Sequence, residues 1–507
     1  MRPLDNLAAC CATLSGSENL LITESHFNGG INFLRTWQTF EQMAPAGASL
    51  DFFSIADAAD ETTFIPAALA DRWQRRVPGW NRWAFASGRV RLTLVLKEKS
   101  QAQLPEHVES IWPKDTSSDQ IVVSNSPRSM TDTRISPKSA IVIGGGIAGC
   151  TAAYALAQRG VSVCLLERAP QLASCASGNP RGILHARFGA GDNALHRFVL
   201  AAYGYTLGLL DAVLPVDGVL RAECGLLQLA FSANEKKRID KLSSRLWPPE
   251  LLHFVTAAQA SRLAGIDMVH GGLWFPSGGW VAPPALCERL VGHPLIEVHT
   301  SSHVDALHRT EAGWQVTDSH GEVRHTDVAV MCCAQSAREF AQFKHFSFTA
   351  VRGQISLLPE TEVSLSQHAV VCGDGYCAPS LNGVHVLGAT HHFDDESIEV
   401  RSADHLENLQ KLTEYAPALR SSLGEVEIEK LQGRAAVRCS VAGSMPLVGE
   451  VEPGLYCSLA HGTRGLLSAP LSAEVIAAKI CGQLSPLPTS ILKELFRPFK
   501  RIDKQLK

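Results

Sequence analysis

The 507 residues, 45% hydrophobic and 19% charged, exceed what one core usually carries, so two or three domains are expected. A net charge of −4 excludes binding to nucleic acid through overall charge and leaves only local basic patches for that role. No apolar stretch reaches the roughly 18 residues that cross a bilayer. Residues 1–15 carry one basic residue and no sustained apolar run, so no signal peptide and no membrane association are expected, and the reading is cytoplasmic. The 14 cysteines include no CxxC pair, which points to small buried hydrophobes rather than a zinc site or a disulfide framework.

In chain order, residues 1–113 come first and contain an alternating, strand-like run at 89–96. Residues 114–138 are rich in Ser, Thr, Asp and Pro, lack apolar periodicity, and read as a linker. From 139 to 485, strand-like and helix-like patterns alternate, the mark of an α/β architecture. Residues 486–507 form a basic tail in which Lys493, Arg497, Lys500, Arg501 and Lys504 interleave with Phe496 and Phe499, suited either to phosphate contact or to a solvated amphipathic end. The histidine pair His391 and His392 reads as surface or core, and no metal is expected.

The sharpest motif is an apolar strand at 140–143 running into Gly144-x-Gly146-x-x-Gly149 and then a helix over 151–159. Gly144 permits the tight turn, Gly146 lets backbone approach a pyrophosphate, and Gly149 lets helix and strand pack closely. The helix start, with Ile147 and Ala148, offers free N–H donors and a positive dipole end. A second strand at 161–166 ends at Glu167, placed to accept hydrogen bonds from an adenosine ribose, and is followed by Arg168. This spacing alone does not separate FAD from NAD.

Two later segments make that distinction by resemblance. Ser177-Gly178-Asn179, and Gly462-Thr463-Arg464-Gly465-Leu466 near the end, resemble the further flavin-contacting segments of the D-amino-acid-oxidase-like (DAO) superfamily. The likeness implies an FAD-binding Rossmann-type fold of the glycine-oxidase kind, with an interleaved β-rich substrate subdomain. A helix starting at Gly465 would stabilise negative charge on a reduced flavin.

A narrower resemblance, to the MnmC family of tRNA wobble-uridine-modifying enzymes, rests on Phe275-Pro276-Ser277-Gly278-Gly279-Trp280, Val351-Arg352-Gly353-Gln354, Asp374-Gly375-Tyr376, Gly388-Ala389-Thr390, and Val437-Arg438-Cys439 before Met445-Pro446-Leu447-Val448-Gly449. It implies that Arg438 grips a substrate carboxylate, with Arg352 and Arg464 as alternatives, and that Tyr376 lines the substrate pocket. One departure stands at Met331-Cys332-Cys333-Ala334-Gln335, where the family has an Ala-Asn-Gly turn.

The same resemblance places a partial Rossmann-like methyltransferase at residues 1–113, with a cofactor loop in 24–34. Here His26 and Asn28 replace two family glycines, Ala56 stands where a ribose-binding acid is expected, and the Asp-Gly-Phe-Ala-Pro catalytic stretch is absent. These changes imply a remnant that does not bind S-adenosylmethionine. The activity implied is FAD-dependent oxidation of 5-carboxymethylaminomethyl-(2-thio)uridine in tRNA to the 5-aminomethyl form, with release of glyoxylate. The alternatives are an enzyme that also methylates the product, an oxidase of free glycine or sarcosine, and a flavin-bound tRNA-binding module without chemistry. Such oxidations need a neutral amine and alignment more than a strong base, so no general base is assigned.

Overall fold

The β-branched and aromatic run around residue 90 forms the strand Val90–Leu96, buried at every position because the sheet containing it is covered on both faces. The computed structural model describes residues 7–16, 18–56, 65–96, 104, 108, 121–125 and 137–496. The first sheet has five strands in the order Gly79–Phe85, Val90–Leu96, Ser49–Ala56, Asn19–Glu24 and Ile121–Asn125. Its three central strands are parallel and its two edge pairings antiparallel. The period of two divides its apolar residues. Leu20, Ile22, Leu50, Phe52, Leu92 and Leu94 pack with Phe33, Phe40 and Leu69 on one side. Leu21, Phe53, Ile55 and Val95 join the core of the following region on the other.

The edge strand Ile121–Asn125 lies inside the segment expected to be a linker. Its Ile-Val-Val run has strand propensity, and antiparallel pairing with Asn19–Glu24 supplies the partner that local composition could not reveal.

A second sheet of six strands is ordered Ile296–His299, Ser162–Leu166, Ser139–Ile143, Val328–Met331, Leu455–Leu459 and Leu447–Glu452. All neighbours are parallel except the last pair. Helices Ile147–Ala157 and Gly465–Ile480, both almost wholly buried, pack together over it. A nine-stranded mixed sheet includes Thr349–Pro359, Gly375–Cys377 and Gln432–Ser440. This is the expected α/β architecture with an interleaved β-rich part. Among the described residues no helix is long and apolar enough to cross a membrane.

A buried ionic chain joins the first sheet to the second region. Asp51 Oδ1 lies 2.9 Å from both Arg82 Nη2 and Arg91 Nε. Arg82 Nε donates to Glu474 Oε1 at 3.1 Å, and Arg159 Nη2 donates to the same oxygen at 2.8 Å. Burial alone would raise the Glu474 carboxyl, but Arg159 and Arg82 outweigh it and hold it down to about 2. Its folded value lies below the unfolded value of roughly 4.3. The stabilisation is therefore complete above that value and fades as pH falls toward 2. Glu474→Gln should lower stability at neutral pH by about 3–5 kcal/mol, because two buried guanidiniums lose a counter-charge. The variant should also lose part of the wild-type decline in melting temperature between pH 5 and roughly pH 2. Superimposable melting curves across that range would remove Glu474 from the account.

Candidate active site

The carboxyl ends of the parallel strands converge on one cavity, the position at which open α/β sheets bind ligands. After Ser139–Ile143 the backbone turns at Gly144 with φ +112°, where a Cβ would lie 2.7 Å from the carbonyl oxygen of Cys332. Gly146 precedes the helix Ile147–Ala157, and a Cβ there would meet Ser177 Oγ at 3.2 Å. That hydroxyl accepts from the Ile147 N–H at 3.0 Å, tying the 177–179 segment to the helix start. Glu167, 8% exposed, accepts from the Gly145 N–H at 2.5 Å through one oxygen and from the Ala169 N–H at 2.8 Å through the other. Each carboxylate oxygen retains a lone pair for a ribose hydroxyl.

Arg434, on the strand Gln432–Ser440, holds the Ser177–Asn179 segment from behind. It donates to Ser174 O at 2.7 Å, to Cys175 O, and to Asn179 Oδ1 at 3.4 Å. Gly178 leaves room for this guanidinium, since a Cβ would lie 2.4 Å from Arg434 Nη2. Opposite, the turn before helix Gly465–Ile480 runs through Ala460 and Gly462, both left-handed at φ +58° and +56°. His461 braces it, bonded to Ser458 Oγ at 3.0 Å and Ser468 Oγ at 2.9 Å. Burial pulls the imidazole down to about 4, so it is neutral near pH 7. Ala334, in the Cys332–Cys333–Ala334 departure, takes φ +54°, so the turn keeps a left-handed residue without a glycine.

The cavity, about 610 Å³, is lined by Gly144, Gly146, Ile147, Ala148, Glu167, Arg168, Ser177, Asn179 and the run Gly462, Thr463, Arg464, Gly465 and Leu466. Gly149 and Gly178 are not on its surface. Gly149 acts by packing, since a Cβ there would fall 1.7 Å from the Gly144 carbonyl oxygen, and Gly178 acts by admitting Arg434. The glycine cradle, the ribose-facing acid and two helix starts on one cavity fit an FAD molecule.

Beyond this cradle the cavity continues to Tyr376 and Arg438. The Arg438 guanidinium lies over Gly353, where a Cβ would be 2.2 Å from Nη2, and the Tyr376 ring lies over Gly388, where a Cβ would be 2.7 Å from the phenol oxygen. Arg438 donates to Thr390 O at 3.4 Å and has no carboxylate partner among the described residues. Burial lowers the Arg438 guanidinium, while Tyr376, itself pushed up to about 12 by burial, acts in the opposite direction. Arg352, the alternative, is fully buried and occupied, with Nη1 2.6 Å from Asp404 Oδ2 and Nη2 donating to Gln354 Oε1 at 3.1 Å, so it braces the sheet. Arg464 does face the cavity.

Wall residues that the motifs left unmarked include His185, Arg187, Phe231, His391 and Lys411. His185 and Arg187 share one segment, the others come from three more, and together they carry no spacing signal. His392 lies 3.0 Å from Asp404 and 3.1 Å from Glu407, but Asp404 already serves Arg352 and Glu407 serves Lys411 at 3.0 Å. Of the C-terminal tail, Lys493 is exposed on the helix Thr489–Leu495, while Phe496 packs beneath Lys479 at 4.9 Å. Arg497, Phe499, Lys500, Arg501 and Lys504 lie outside the described residues.

Comparison with known proteins agrees with this geometry. The family described as FAD dependent oxidoreductase (DAO) matches residues 139–479. The tRNA 5-methylaminomethyl-2-thiouridine biosynthesis bifunctional protein MnmC of Nitrosospira multiformis is 43% identical over 550 aligned residues, covering 94% of this chain and 89% of that protein. The protein of the same name from Chromobacterium violaceum is 33% identical, covering 95% and 89%. Among solved structures, glycine oxidase from Bacillus cereus superposes with a TM-score of 0.58 at 23% identity, over 69% of this chain and 98% of its own. Glycine oxidase from Geobacillus kaustophilus gives 0.59 at 19%, over 72% and 97%, and at such identities both speak for the fold alone. The chain thus belongs to the MnmC family, and the region that builds the cavity is a DAO-type FAD dependent oxidoreductase.

Proposed function

We propose that the chain oxidises the carboxymethylaminomethyl group on the wobble uridine of tRNA, cleaving it to aminomethyluridine and glyoxylate, as a cytoplasmic enzyme. The observation that carries this reading is Arg438, a cation inside the cavity with no carboxylate partner among the described residues, in a chain of the MnmC family. A half-buried unpaired guanidinium is costly, and a carboxylate that binds it restores the balance through two parallel hydrogen bonds. Bound FAD supplies the oxidant that accepts a hydride from the CH2 between nitrogen and carboxylate. Arg438 fixes that CH2 by holding the adjacent carboxylate, and Tyr376 closes one wall. Loss of the hydride leaves a C=N bond, and water adds to its carbon. The C–N bond then breaks, giving glyoxylate and the primary amine. Gly144, Gly146, Gly149, Glu167, Ser177 and the Gly462–Leu466 turn hold the cofactor in this reading.

The test combines purified protein with wobble-modified tRNA and assays glyoxylate together with the mass of the nucleoside. Loss of the carboxymethyl group with stoichiometric glyoxylate is expected. Turnover of glycine or sarcosine, with none of the tRNA, would replace this reading with that of an amino acid oxidase.

In the same reading residues 1–113 are a methyltransferase remnant whose sheet also takes in the strand Ile121–Asn125, the rest of 114–138 joins it to the oxidase at 139–485, and 486–507 form a tail. Ala56 ends its strand at the position where the family resemblance expects the ribose-binding acid. Phe27 and Leu69 crowd Gly30, where a Cβ would lie 2.8 Å and 2.6 Å from them, and Phe27 stacks on Trp73 at 6.2 Å. The buried Glu24 carboxylate is engaged by Asn32 Nδ2 at 2.5 Å and Ser54 Oγ at 3.3 Å. Titration calorimetry with S-adenosylmethionine should therefore give no heat at micromolar concentrations. A saturable isotherm would restore the second activity.

A further inference from the structure

The cavity wall continues outward into a helix whose exposed side the oxidation chemistry does not use. Phe231 lines the cavity, Ser232 caps the next helix by accepting from the Glu235 N–H at 3.3 Å, and the helix runs over Ala233–Ser243. Glu235, Ile239 and Leu242 form its buried stripe. Glu235 is the hinge to the active site, because it pairs with Arg187 on the cavity wall and with Arg238 Nη2 at 2.7 Å. Arg238 Nη1 in turn donates to Phe188 O at 2.7 Å. At the far end Arg245 Nη2 donates to Ala190 O at 2.9 Å, and Trp247 stacks on Phe188 with centroids 5.4 Å apart. Both ends of the helix are therefore clamped to the 185–190 segment that borders the cavity.

The outward face carries Lys236, Lys237 and Lys241, all exposed and none in an ion pair among the described residues. Asp240 lies on the same face. Over 231–247 there are five Lys and Arg against two carboxylates, on a chain whose net charge is −4. A local positive face on a helix that begins next to the cavity-lining Phe231 attracts a polyanion that the whole molecule would repel. Lysines there meet phosphate oxygens without reading base sequence.

We infer that this lysine face is the docking surface for the RNA phosphate backbone flanking the nucleotide that enters the cavity. The inference rests on the tRNA reading above and adds the place at which the rest of the RNA is held. Backbone contacts made here set the depth and direction of entry, while Arg438 holds the group to be oxidised.

The test measures KM and kcat for wobble-modified tRNA across a salt series. Lys236→Gln, Lys237→Gln and Lys241→Gln together should raise KM roughly 10- to 100-fold and flatten the slope of log KM against log salt by about 2, at about one unit or slightly less per phosphate contact. The triple Lys→Arg variant, which keeps the charges, should retain the wild-type KM. A charge-matched control, Lys138→Gln, Lys344→Gln and Lys430→Gln, should also leave KM near wild type. Wild-type KM and slope in the first variant would overturn the inference while leaving the oxidation reading intact. So would a Lys→Arg variant as impaired as the Lys→Gln one, since charge would then not be the cause. A wild-type protein that oxidises no tRNA at all would remove the reading on which the inference rests.

Discussion

Arg438→Lys should leave FAD content unchanged and lower turnover of the modified tRNA by roughly ten- to a thousandfold, the scale of a lost charge-assisted hydrogen-bond pair. Lysine keeps the positive charge but not the planar fork, and the fork lies flat over Gly353 because that residue has no Cβ. An ammonium in the same space can make one strong contact where the guanidinium makes two, so the CH2 next to the carboxylate would no longer be held in one position. Arg438→Ala should be worse, since the carboxylate then enters a site with no cation there. Absorbance of bound flavin and single-turnover reduction by substrate separate the two effects. A reduction rate equal to wild type in either variant would transfer the carboxylate to Arg464, which also faces the cavity.

Gly149→Ala should have the largest effect on the protein as a whole. The added methyl would stand 1.7 Å from the Gly144 carbonyl oxygen and 3.0 Å from its carbonyl carbon. Both are backbone atoms of the turn itself, so no side chain can rotate away. The helix Ile147–Ala157 must lift from the strand, at a cost of at least 1–3 kcal/mol by the measure of overpacked cores. Its N-terminus would then no longer point at the pyrophosphate position. The expected result is colourless protein with a lowered melting temperature. Gly146→Ala provides the contrast, because its nearest neighbour is the Ser177 hydroxyl at 3.2 Å, a group that can turn aside. That variant should fold normally and bind FAD more weakly. Full flavin content in Gly149→Ala would show that the helix can shift without loss of the cofactor.

Gly144, Gly146, Gly149 and Glu167 could be read from the chain because their roles are local, set by a turn, a helix start and the end of the next strand. Arg438 and Tyr376 emerged through resemblance, and the structure places both on the cavity wall. Other features are not local. Nothing around residue 121 announces that Ile121–Asn125 completes a sheet begun at Asn19–Glu24, because the signal lies in the pairing and not in the segment. The fusion of the first sheet with the oxidase core through Phe53, Ile55 and Val95 looks, in sequence, like ordinary strand alternation. Arg434 carries no motif at all, and it matters only because Gly178, 256 positions earlier in the numbering, makes room for it.

Arg434 and Arg438 stand four positions apart on the strand Gln432–Ser440, and both project to the same side of it. One reaches the loop that fits the flavin, and the other reaches the place assigned to the substrate carboxylate. Their separation, roughly 13 Å along an extended chain, acts as a ruler laid between oxidant and fuel. Its zero is set by nine paired positions with Thr349–Pro359, from Thr349 opposite Ser440 to Leu357 opposite Gln432. A one-residue slip of that pairing would turn both arginines to the opposite face together, so neither grip can drift alone. In the reading proposed above, a flavin seated against the 174–179 loop would act on the same strand that carries Arg438. Substrate affinity should then rise with flavin occupancy, and by reciprocity a bound carboxylate should slow the loss of flavin.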